Sequence, residues 1–268
     1  MTFPMDFRKL ISDVLTGNTR DLGKRFSLLS RKMKRLAYQL SHKRLIGAAL
    51  QDIPVIINNR NRYGYLLKLI AWLEKNGMTN IIILDNDSTY PPLLEYYKST
   101  RYKVFLTGRN VGPFAIWQIP AMDHYVTDYY IYTDADVVPD ESTGFECIRL
   151  MYERLRGDIT IDKIGLALRI DNLPDHFKLK GEVIDWESQF WKVRDGRNFW
   201  RAKVDTTFAL YAPYAKGGGD CKALRTDFPH VAQHLPWYEN SDVPQEEDEY
   251  YRAHSEPSNS HWTKLTAQ

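Results

Sequence analysis

The chain of 268 residues contains only two cysteines, Cys147 and Cys221. Two are too few for a disulfide framework, and neither has neighbours at the spacing of a zinc site. A reducing, cytoplasmic setting is the simpler expectation. No run of about 18 apolar residues occurs, so no segment reads as a membrane-spanning helix. The N-terminus lacks the apolar core of a secretory signal. There is no internal repeat, which sets solenoid and propeller architectures aside.

Apolar residues make up 43% of the sequence and charged residues 26%, the balance of a chain with a packed core. Aromatics reach 13%, with 17 Tyr and 7 Trp. Such rings serve as platforms for sugars, and they also fill ordinary cores. The net charge is only +2, but it is unevenly spread. Residues 1–50 hold 11 Lys and Arg against 3 Asp and Glu, a net of +8, so the remaining 218 carry −6. A basic arm on an acidic body points to an anionic partner for the arm, a membrane surface or a nucleic acid.

That arm has helical spacing. Leu22, Phe26, Leu29, Met33, Leu36 and Leu40 recur at intervals of four and three, drawing one apolar stripe. Lys24, Arg25, Arg31, Lys32, Lys34 and Arg35 crowd around it. A basic amphipathic helix of this kind can lie on an anionic membrane, giving a peripheral contact through residues 22–44. The same stripe could instead pack on the body or on a second copy.

From residue 52 the pattern changes. Residues 53–57, 80–84, 102–106 and 129–133 (YYIYT) are short apolar runs rich in β-branched or aromatic residues, the signature of strands. Residues 64–76, with Leu66, Leu69, Ile70 and Leu73 at helical spacing before Gly77, read as a helix, as do residues 91–98. Strand alternating with helix predicts a mostly parallel sheet covered by helices, the α/β class. Such sheets bind ligands at the carboxyl ends of their strands. Four polar clusters fall at those ends: residues 58–61, 85–88, 109–112 and 134–136.

Asp134-Ala135-Asp136 is the chemically richest of the four. Two carboxylates flanking a small residue can hold Mg²⁺ or Mn²⁺ through oxygen, with His234 a candidate further ligand. With 22 Asp in the chain, about two such triplets arise by chance and two are present, so the context of a strand before it gives the motif its weight. Asp85 and Asp87 offer acceptors for a base N–H or a ribose hydroxyl, or else an Asx-turn or helix cap. Asn59, Arg60, Arg109, Asn110 and Gly112 complete a candidate nucleotide site together with Asp134, an arginine being suited to pairing with a diphosphate.

These residues resemble the GT-A class of glycosyltransferases, and most closely glycosyltransferase family 2. The resemblance covers residues 53–140. It rests on the polar loop Asn58-Asn59-Arg60, the acidic Asp85-Asn86-Asp87-Ser88, the Asn110-Val111-Gly112 segment and Asp134-Ala135-Asp136. It implies a Rossmann-like sheet with a helical basic extension, and transfer of a sugar from a nucleotide-sugar donor, UDP-linked, to a glycan or lipid-linked acceptor. It also implies Mn²⁺ or Mg²⁺ dependence, an inverting mechanism and a place in bacterial surface polysaccharide synthesis. The expected setting is cytoplasmic, peripheral on the inner membrane face, with no nucleic acid partner. The organisation that follows is an extension over residues 1–51, a catalytic domain over 52–240 and a polar tail over 241–268. The catalytic domain divides at residue 140 into nucleotide-binding and acceptor-binding halves.

The second half departs from the family pattern, having no clean Glu-Asp pair on the acceptor side. Residues 163–170 and 204–211 read as strands, with a Trp-rich helix over 182–193 between them. An inverting transfer needs a base for the acceptor hydroxyl. The candidates are Glu187 and Asp185 beside Trp186, and Asp205. Glu187 is preferred because an adjacent ring raises a carboxyl pKa. Gly217-Gly218-Gly219 is a candidate lid or a turn. Two other classes remain open. A haloacid-dehalogenase-type phosphatase would use the first Asp of the same motif as a nucleophile, although three strand–loop units precede it here. A non-catalytic sugar-binding module would bind neither nucleotide nor metal.

Overall fold

The computed structural model describes residues 22–218 and 221–254. The first part of the expected extension, Gly219 and the end of the expected tail lie outside the described residues, as do the side chains of Leu22, Lys24 and Arg25. A long helix α1 (Leu22–Ser41) and a single turn α2 (Ala48–Gln51) lead into the alternation the sequence predicts. Its members are β1 (Val55–Asn59), α3 (Gly64–Lys75), β2 (Ile81–Asp85), α4 (Pro91–Ser99), β3 (Lys103–Leu106) and β4 (Tyr130–Asp134). Between β3 and β4 the chain makes only short 3-10 turns, two of them after Pro113 and at Pro120, residues that cannot continue an α-helix.

The four strands pair in the order β3-β2-β1-β4, all parallel. Val55, Ile56, Ile57, Ile83 and Leu84 have no exposed surface, as expected of strands covered on both faces. The α3 stripe foreseen from spacing is the buried one: Leu66, Leu69 and Leu73 are fully covered. Register sets Asn59 opposite Asp85 and Asn58 opposite Asp134. The polar strand ends therefore lie side by side at one edge. The expected α/β class, a mainly parallel sheet flanked by helices, is the architecture observed.

The second half contributes β5 (Val137–Pro139), α5 (Glu146–Gly157), β6 (Lys163–Gly165), β7 (Ala167–Leu168), α6 (Lys180–Ser188), β8 (Phe199–Trp200), β9 (Ala209–Tyr211), β10 (Ala223–Thr226) and β11 (Val231–His234). The helix α7 (Glu246–His254) follows. The main sheet continues beyond β4 as β9-β6-β10-β8, in which only β8 and β9 run against the rest. A second sheet, β5-β11-β7, stands beside it. The apolar run at 163–170 is thus two strands in two sheets. Gly165 makes the close approach there, since a Cβ would lie 2.5 Å from Val204 Cγ1. Of the predicted strand at 204–211 only Ala209–Tyr211 pairs, and its first residues leave the sheet to line a cleft.

Helix α1 docks on the body with the face opposite its apolar stripe, so of the readings left open the one that packs the stripe on the body is not observed. Arg35 is 1% exposed: its Nη2 donates to Asp162 Oδ1 at 2.9 Å and its Nη1 to the Ile161 carbonyl at 2.7 Å. The Tyr38 hydroxyl donates to Asp128, and Gln39 Nε2 to the Arg156 carbonyl at 3.1 Å. Phe26, Met33, Leu36 and Leu40 of the stripe are exposed, and Leu29 is half-buried.

Candidate active site

A cleft of about 640 Å³ opens at the carboxyl ends of β1, β2 and β4, where an open parallel sheet presents its loops to ligands. Its volume is that of a small-molecule site. Nine of the sequence-selected residues line it: Asn59, Arg60, Asn110, Gly112, Asp134, Asp136, Glu187, Asp205 and His234. Strands β1 and β4 bring the first and fourth polar clusters together by register alone. The loop after β3 is drawn in by Asn86, whose amide donates to the Gly112 carbonyl at 2.9 Å and accepts from Val111 N at 2.7 Å. Gly112 takes φ 79°, a left-handed conformation suited to glycine.

Four selected residues lie outside the cleft lining. Asp85 is buried and turned inward, accepting from the Tyr97 hydroxyl at 2.9 Å and from Ser88 N at 3.0 Å. Its role is to shape the turn that places Asn86. Asp87, Arg109 and Asp185 are exposed.

Asp134 sits at the floor of the cleft. One carboxylate oxygen accepts from the Thr206 hydroxyl and the other from Asn58 Nδ2 at 3.4 Å. By surface area it is partly open to the cleft, yet burial by surrounding protein and then the charge of Asp136 raise its pKa well above the usual range. Asp136, two residues on, points across to His234, with His234 Nε2 3.7 Å from Asp136 Oδ2. Burial lowers the His234 pKa despite Asp136, which keeps the imidazole neutral, and His234 Nδ1 is buried with no hydrogen-bond partner. A neutral imidazole and a carboxylate so placed could share one ion, since about 2.1 Å from each atom spans their separation. Among the described residues no three His, Cys, Asp or Glu side chains form a closed cage.

Arg62, unselected in the sequence, is the cation of this half. It is 8% exposed, lines the cleft, and donates to Asp248 Oδ1 at 2.6 Å. Burial opposes its charge, and Asp136 leads the carboxylates and phenols that outweigh it. Its guanidinium lies 3.6 Å from the ring centre of Tyr251, which also lines the cleft. The α7 helix, read as part of a polar tail, is therefore part of the wall.

The other half of the cleft is built from α6 and the loop before β9. Trp186 is 48% exposed and, with Phe190, lines the wall. Glu187 is buried and ion-paired with Arg225 Nη1 at 2.6 Å. Burial raises its pKa, with Arg225 pulling the other way. Asp205 presents an exposed side chain to the same cleft and makes no ion pair among the described residues. Its carbonyl accepts from Lys163 Nζ at 2.9 Å. Lys163 is 2% exposed, and its Nζ also donates to the Tyr211 hydroxyl at 3.0 Å.

No protein-family model and no curated protein sequence matches the chain. Among solved structures it is similar to GalNAc-T7 with UDP, GalNAc and Mn²⁺, at 14% identity and a TM-score of 0.47. The match covers 80% of this chain and 53% of that one, so the chain spans about half the length of that relative.

Proposed function

We propose that the protein is a metal-dependent glycosyltransferase acting on a nucleotide-sugar donor, UDP-linked, with a glycan or lipid-linked acceptor. The observation that carries this reading is the pairing of Asp136 with a neutral His234 beside a buried Arg62, at the strand-end edge of a cleft walled by Asn-rich loops. Carboxylate, imidazole and guanidinium together suit a diphosphate. Asn110 supplies an amide for a base or ribose, and the unpartnered Asn59 Oδ1 an acceptor, on a loop that Asn86 holds in place. Asp136 and His234 would hold Mn²⁺ or Mg²⁺, which when bound adds positive charge to the departing diphosphate.

The chain's own groups account for the rest of the reaction. Arg62 orients the phosphates and neutralises charge that leaves with them. Trp186 and Phe190 give an apolar wall on which an acceptor sugar stacks. A carboxylate on that wall takes the acceptor hydroxyl proton as the new glycosidic bond forms on the face opposite the leaving diphosphate, an inverting transfer. Asp205 fits that task better than Glu187, because Glu187 is held by Arg225 and Asp205 faces the cleft unpaired among the described residues.

The phosphatase reading is less well supported. It requires Asp134 to attack phosphorus, yet both of its oxygens are already engaged, one by the Thr206 hydroxyl and the other by the Asn58 amide. The test is release of UDP from a panel of UDP-sugars, with Mn²⁺ and with glycan or water as acceptor. The expected result is metal-dependent release that Asp136→Ala abolishes. Cleavage of simple phosphate monoesters instead would establish the rival class.

A further inference from the structure

The outward face of α1 is unlike the rest of the surface. Phe26 is 68% exposed, Met33 58%, Leu36 39% and Leu40 81%, and Ile46 just beyond the helix is 71% exposed. The first four fall on one side of the helix at spacings of seven, three and four, and at 1.5 Å per residue the helix is about 30 Å long. A contiguous apolar strip of that size on a folded protein marks a contact surface. The strip cannot turn inward, because Arg35 on the opposite side is locked to Asp162 and to two backbone carbonyls.

Charge decides what covers it. Between Leu22 and Gln51 the sequence has eight Lys and Arg and no Asp or Glu. Lys34 is exposed beside the strip, its ammonium 5.8 Å from the Tyr214 ring centre, and Lys43 is exposed just beyond it. A second copy laid on this face would oppose two acid-free basic segments, which repel. An anionic lipid surface meets both features at once, apolar side chains entering the headgroup boundary and lysines meeting lipid charge.

We propose that the outward face of α1 docks the protein on an anionic lipid bilayer, with Phe26, Met33, Leu36 and Leu40 inserted and the flanking lysines on the headgroups. This holds whatever the cleft binds. The orientation is set by the Arg35–Asp162 pair, so the whole body is carried at a fixed angle to the surface rather than on a loose tether.

Co-sedimentation of the full chain with phosphatidylcholine vesicles, with and without phosphatidylglycerol, tests this directly. The expected result is binding to the anionic vesicles only, weakened at high salt. Met33→Glu and Leu40→Glu should each weaken it roughly tenfold or more, the scale of one large apolar side chain kept in water. Both side chains are exposed, so thermal melting should not change. Absence of binding to anionic vesicles, or binding that neither substitution alters, would overturn the proposal. So would sedimentation equilibrium showing a dimer that the same substitutions dissociate, which would assign the face to a second copy.

Discussion

Asp205 and Glu187 share one wall of the cleft and differ in what holds them. Glu187 is closed against Arg225, whereas Asp205 faces the cavity. Asp205→Asn is expected to lower kcat by about 10²–10⁴, the usual contribution of a general base, while leaving UDP affinity unchanged. Glu187→Ala is expected to act on folding instead, leaving a buried guanidinium unpaired at a cost of about 3–5 kcal/mol in urea unfolding. Reversal of the two phenotypes would exchange their roles. The sequence singled out both acids but ranked Glu187 first, on the strength of Trp186 beside it. Nothing local revealed Arg225, 38 residues along the chain, which occupies it. Asp85 stands outside the cleft lining for a related reason. It ends a strand as foreseen, but Asn86, next along the turn, is the side chain that lines the cleft.

The elements of the first half were legible because each is written in one period. Apolar runs give β1, β2 and β4, and helical spacing with a glycine stop gives α3. In the second half the helix expected at 182–193 is α6, but the strands were not legible, because they are two to four residues long and are defined by partners far away in the chain. A run such as residues 163–170 carries no sign that it divides between two sheets. In α1 the period was read correctly, and of the readings it left open the structure sets aside the one in which the stripe packs on the body. An apolar stripe ordinarily faces the core, but a single buried arginine with an acidic partner reverses that rule here. Arg35→Met, of similar length and without charge, leaves Asp162 unpaired and is expected to destabilise the protein by about 3–5 kcal/mol. Double replacement by Arg35→Met and Asp162→Leu should recover much of that loss. Urea unfolding of the three variants measures both, and equal loss in the single and the double variant would show that the pair does not anchor the helix.

At the scale of the whole molecule, distant parts of the chain meet at one cleft. Asn58 and Asp134 come from neighbouring strands, His234 from the second sheet, Glu187 from α6 and Tyr251 from the terminal helix. The strand-end clusters announced the first two. The last came unforeseen, since an acidic, polar ending gives no hint that Asp248 and Tyr251 fold back on Arg62. The arrangement keeps charges of both signs in a recessed, partly dehydrated site. On the proposed reading a diphosphate, a divalent cation and a guanidinium would balance one another there better than any does alone. The most direct test of the central claim is calorimetric titration of UDP into the wild-type protein and Asp136→Ala, each with and without Mn²⁺. Binding that requires Mn²⁺ in the wild type and is lost in the variant is the predicted result. UDP binding that ignores both the metal and the substitution, or no binding at all, would contradict it.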